Sequence, residues 1–133
     1  LSPAARRALT TIGLLGLCAA YIQGGLNKLL DYPGAVAEAV HFGLPLAPVA
    51  AALTIALELV ASTMVLTGRL RWLGALALML FTITATFIAN RYWELQPGQE
   101  RFMMANSFYE HLGLAGAFLL IAVWDRPERR HPV

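Results

Sequence analysis

Residues 44–68 read LPLAPVAAALTIALELVASTMVLTG, and Glu58 is the only ionisable group among them. At about 1.5 Å rise per residue, roughly 20 residues cross a bilayer core of about 30 Å, so the run is long enough to span. A spanning helix here puts Glu58 near the midplane. A charge at that depth costs roughly 2.5–3.5 kcal/mol on insertion scales unless it is neutralised or partnered. Glu58 is therefore either a functional acid or a protonated one that hydrogen-bonds neighbouring helices and holds a bundle together. Thr54, Glu58 and Ser62 repeat every four residues, a polar stripe that must face protein rather than lipid. What meets that stripe is the question the rest of the chain has to answer.

On the N-terminal side, residues 8–27 carry no charge and predict a first span over about 8–30, preceded by Arg6 and Arg7. Gly16, Ala20 and Gly24 fall on one face, which lets a neighbouring helix approach closely and aims Lys28 along the same seam. The segment from Gln23 to Asp31, QGGLNKLLD, is the most unusual in the chain, because it places two amides (Gln23 and Asn27), a cation and an acid at the end of a membrane helix. Lys28 and Asp31 at i, i+3 can pair locally, and the plain alternative for Lys28 is a side chain snorkelling to the interface. Tyr32-Pro33-Gly34 signals a turn, and residues 35–42 read as a short interfacial helix with Glu38 and His41. Pro45 or Pro48 can open the second span, over about 45–67.

On the C-terminal side, Gly68-Arg69-Leu70-Arg71 is a tight basic turn. A third span follows over about 72–90, with Thr82, Thr86 and Asn90 as a second polar stripe. Mid-membrane threonines often bond only to their own helix, so that stripe is weak evidence alone. The polar loop after Asn90 carries Tyr92 and Trp93 where an interfacial aromatic belt is expected. Residues 112–124 are too short to span without charge. Extended to about 102–124 they suffice, and then include Asn106, Glu110 and His111. The polar tail after Trp124 is expected to be partly disordered. The predicted architecture is all-α, a four-helix transmembrane bundle occupying residues 1–133 as one membrane domain.

Composition agrees. The chain is 58% hydrophobic and 14% charged, too apolar for a water-soluble domain of 133 residues. The net charge of +2 does not point to nucleic acid, because the bases sit in short clusters at the ends of apolar runs. A single cysteine, Cys18, excludes an internal disulfide or a CxxC redox pair. Arg6, Arg7, Arg69, Arg71, Arg126, Arg129 and Arg130 fall on one side of the four spans and Lys28, Arg91 and Arg101 on the other. Seven bases against three predict that both termini are cytoplasmic.

Depth then groups the polar residues. Glu58, His111 and Thr82 each lie about nine or ten residues from the outer ends of their spans, roughly 15 Å down. Lys28, Asp31 and Asn106 fall in a shallower layer. The expected cluster comprises Lys28, Glu58, Asn106, Glu110 and His111, supported by Gln23, Asn27, Asp31, Thr54, Ser62, Thr82 and Thr86, with Glu58 meeting the fourth span through His111, or else Glu110 or Asn106. One intramembrane histidine without paired ExxH spacing gives no metal site. No dinucleotide, P-loop or serine-triad motif is present. The remaining chemistries are proton handling and hydrogen bonding to a lipophilic ligand such as a quinone, whose carbonyls need donors, or a satisfied polar core that fixes helix register.

The segment GGLNKLLD (24–31), a second helix with one central glutamate closed by Gly68-Arg69, and NSFYEHLGLAG (106–116) together resemble the DoxX family, over about residues 14–121. That family comprises small four-helix membrane proteins. Named members are described as a subunit of a thiosulfate:quinone oxidoreductase and as a membrane component of oxidoreductase assemblies. The resemblance implies a multi-pass protein of the bacterial inner membrane, a quinone-associated subunit with other membrane or soluble redox subunits as partners, and carries over Lys28, Glu58, Asn106, Glu110 and His111. It implies no covalently bound cofactor. The alternative is a non-catalytic anchor or assembly subunit whose polar cluster is structural, and a homo-oligomer is compatible with either. With one cysteine, a self-sufficient sulfur oxidase is not supported, and no catalytic residue is assigned.

Overall fold

The computed structural model describes residues 1–125, so the expectation for the tail beyond Asp125 lies outside the described residues. The elements, in chain order, are α1 (Pro3–Leu30), α2 (Tyr32–His41), α3 (Ala47–Thr67), α4 (Arg71–Ala89), a 3-10 turn (Tyr92–Glu94) and α5 (Gln99–Trp124). Four of these helices, all but α2, are long and apolar enough to cross a membrane. The protein is an all-helical, multi-pass membrane bundle.

The ends of the helices follow local chemistry rather than hydropathy. α1 starts five residues before its charge-free run, because Ser2 caps it through a bond from the Ala5 amide (3.1 Å) and Pro3 suits a first helical turn. α2 begins at Tyr32, earlier than its apolar pattern suggested, since Asp31 accepts from the Gly34 amide at 3.1 Å. Asp31 is thus a cap and not the partner of Lys28. Gly68, at φ +79°, closes α3 in the left-handed region that glycine adopts without strain. The Arg71 guanidinium then returns to the α3 terminus, its Nε donating to the Val65 carbonyl at 2.7 Å.

Packing runs α1 on α3, α3 on α4 and α4 on α5, with α2 lying across α3 at the end of the bundle opposite the termini. The core draws Leu14, Cys18 and Tyr21 from α1, Ala61 and Val65 from α3, Ala75 and Leu78 from α4, and Phe118 from α5. Tyr21 meets Phe118 edge-on, with centroids 5.4 Å apart. A Cβ at Gly74 would lie 2.8 Å from the Ala61 carbonyl oxygen, so α3 and α4 touch backbone to backbone there. The α1 seam differs from the expected one. Its buried face is Leu14, Cys18, Tyr21 and Gly25, while Gly16 and Ala20 are exposed. A Cβ at Gly13 or Gly16 would meet nothing within 4 Å, and of the α1 glycines only Gly24 and Gly25 are used for close approach. Around the bundle Ile12, Leu53, Val60 and Leu80 are more than half exposed, the surface expected toward lipid acyl chains.

Candidate functional site

Glu58 is 4% exposed, and its partner is on α1. Lys28 Nζ donates to Glu58 Oε1 at 2.6 Å, joining the end of the first span to the middle of the second. The sequence placed that partner on the fourth span, where depth agreed. The reason for the difference is reach. Lys28 is seven residues C-terminal to Tyr21 on the buried face of α1, and its long side chain runs back along the helix toward the midplane. Gly24 makes room for it: a Cβ there would sit 2.8 Å from Glu58 Oε2 and 3.5 Å from Lys28 Nζ. A Cβ at Gly25 would press on Leu59 at 2.7 Å. The Gly24-Gly25 pair therefore forms the slot that admits the carboxylate.

The other residues of the expected cluster separate into groups. Ser62 is fully buried beside Cys18. Thr54 is half-buried and bonds back to the Ala50 carbonyl at 2.8 Å. Thr82 is buried and bonded both to the Leu78 carbonyl (2.6 Å) and to the Tyr21 hydroxyl (2.5 Å), which latches α1 to α4. Thr86 is buried and accepts from the Asn90 amide at 3.0 Å. On α5, His111 donates from Nδ1 to the Ser107 carbonyl of its own helix at 2.7 Å. Asn106 and Glu110 are exposed, as are Gln23 and Asn27 on α1. Of the five central residues, the structure joins only Lys28 and Glu58.

A cavity of about 260 Å³ lies against Lys28, between α2, α3 and α4. Ala51 and Thr54 line it from α3, Glu38 and Ala39 from α2, and Phe81 and Thr84 from α4. Its polar groups are thus an ammonium, a carboxylate and two hydroxyls in an otherwise apolar wall. Lys28 has three N–H donors and Glu58 uses one. The ammonium can therefore hold Glu58 and still present a donor to the cavity. Sequence reading placed Gly24 on the close-approach face that aims Lys28, but missed Tyr21, Glu38 and the part of Gly25 in the slot. A tyrosine in mid-span was a legible signal, since its hydroxyl requires a partner there, but Glu38 reads as an ordinary interfacial charge. Among the described residues no three His, Cys, Asp or Glu side chains converge in a way that could hold a metal ion.

Comparison with known proteins places this geometry in a family. The chain is 27% identical over 120 residues to the inner membrane protein YphA of Escherichia coli, an alignment covering 90% of this chain and 85% of that one. No solved structure matches the chain significantly. The family match covers residues 9–91, so it holds Lys28, Glu58 and the cavity and stops before α5. With more than half of its length matched by the DoxX model, this chain belongs to the DoxX family.

Proposed function

We propose that this DoxX-family protein is a quinone-associated membrane subunit of an oxidoreductase complex, with Lys28, held by Glu58, facing the polar head of the ligand. The cavity beside Lys28 carries this reading. Its volume of about 260 Å³ lies just below the range for small-molecule sites, about 300–1,000 Å³, and it combines apolar walls with a few convergent polar groups. Quinone carbonyls accept hydrogen bonds, and Lys28 and Thr84 are donors along the lining, while the Thr54 hydroxyl already donates to the Ala50 carbonyl. Lys28 orients the head, Glu58 holds Lys28, and the apolar wall excludes water. Electrons come from a partner redox subunit in this reading, because one cysteine cannot run dithiol chemistry.

The experiment is quinone content. Protein purified from native membranes is extracted with organic solvent, and quinone is quantified per chain by mass spectrometry. Enrichment well above the bulk lipid ratio is expected. Ala85→Phe, which fills the cavity from α4, should abolish the enrichment without altering the unfolding temperature. Bulk-level quinone in the unaltered protein would favour the second reading, an anchor or assembly subunit. That reading draws on the completeness of the ion pair, which satisfies Glu58 with no ligand at all.

The same proposal seats the chain in a bacterial inner membrane with both termini cytoplasmic, on the seven-to-three asymmetry of bases. Cysteines introduced at Gly68 and Gln99 should label from opposite sides with a membrane-impermeant maleimide. Labelling of both from one side contradicts the orientation.

A further inference from the structure

The face of α2 that roofs the cavity consists of Ala35, Glu38, Ala39 and Phe42, at i, i+3, i+4 and i+7. Three of these are apolar, and Ala35 and Ala39 are buried. Glu38 is the exception. A surface helix turns its apolar stripe inward and its charges outward, yet this acid stands on the inward stripe, exposed to water and lining the cavity at once. Among the described residues its carboxylate has no hydrogen-bond or ion-pair partner. Lys28, the cation of the same cavity, is paired with Glu58 instead.

The polar groups of the lining differ in which redox form of a quinone they suit. The Lys28 ammonium only donates, and an oxygen of either form can accept from it. Thr54 has its hydroxyl proton committed to the Ala50 carbonyl. The Thr84 hydroxyl can donate or accept, so it serves both forms alike. An ionised carboxylate only accepts. A quinone oxygen set against Glu38 would meet an anion with no proton between them, whereas the reduced ring, the quinol, carries O–H groups that donate. We propose that the cavity takes the quinol in preference to the quinone, one hydroxyl donating to the Glu38 carboxylate and the other ring oxygen accepting from Lys28 Nζ. This rests on the reading of the cavity as a quinone site. At about 260 Å³ the cavity is small enough that a ring lodged beside Lys28 also lies beside Glu38. Lys28 therefore holds either form, and Glu38 sets which form is held more tightly.

Calorimetric titration of the full chain in lipid nanodiscs under nitrogen tests the preference. The probes are a decyl-tailed benzoquinone and its chemically reduced quinol. The unaltered protein should bind the quinol roughly tenfold more tightly than the quinone, as expected for one charge-assisted hydrogen bond gained. Glu38 is exposed and unpaired among the described residues, so Glu38→Gln should fold normally. Its amide can donate to a quinone carbonyl, and the preference should fall to parity or reverse. Ala85→Phe should remove binding of both forms, which separates the cavity from partition into the lipid. Equal affinity for the two forms in the unaltered protein, an unchanged preference in Glu38→Gln, or an equal loss of both forms in that variant would each overturn the role of Glu38 alone. Binding of neither form by the unaltered protein, or of both by Ala85→Phe, would overturn the quinone site itself and this inference with it.

Discussion

Lys28→Met is expected to destabilise the bundle by about 3–5 kcal/mol, the usual cost of removing one partner of a buried ion pair. The loss is not that of the attraction alone. Glu58 is 4% exposed, and the slot at Gly24-Gly25 confines its carboxylate against α1. Without Lys28 the acid is left without a hydrogen-bond donor in an apolar interior, so it must take up a proton or drag water into the α1–α3 seam. The double variant Lys28→Met/Glu58→Leu removes both groups and should recover most of the stability, because a buried pair often does no better than an apolar pair of similar size. Unfolding of the purified variants in mixed micelles, followed by circular dichroism, gives the comparison. Equal loss in the single and the double variant would show that the pair does not act as a unit.

Much of the fold was legible because lipid imposes a simple rule. Four runs of sufficient length had to be helices, and Pro48 and Gly68 marked the limits of α3 within a residue or two. The burial of Glu58, Ser62 and Thr82 followed from the same cost argument. Which helix each stripe faced did not follow. Hydropathy and depth treat helices as interchangeable cylinders, and depth alone favoured His111 as the partner of Glu58. The structure answers with contacts that the linear pattern does not encode: Tyr21 bridging to Thr82, and Lys28 folding back past Gly24. The cavity was out of reach for the same reason. It exists because α2, read as a surface helix, is pinned over α3 by the bond from the Tyr32 hydroxyl to the Pro48 carbonyl at 2.6 Å. That bond holds Glu38 and Ala39 as its roof.

Glu58→Gln separates support of the fold from service to a ligand. The amide oxygen can still accept from Lys28, so shape and hydrogen bonding persist. Lys28, with 22% of its side chain exposed near the end of α1, can shift toward water, a relief that buried Glu58 lacks in Lys28→Met. The variant should therefore fold and retain most of its stability. It loses the anion that fixes the ammonium at the cavity wall, and with it one charge-assisted donor to the ligand. Such a bond is worth about 1.5–3 kcal/mol, roughly a 10- to 100-fold loss of affinity. Quinone retained per folded chain of Glu58→Gln, set against the unaltered protein, is the most direct test. A folded variant stripped of quinone is the predicted result, and a folded variant with the full complement would contradict a ligand-facing role for Lys28 held in place by Glu58.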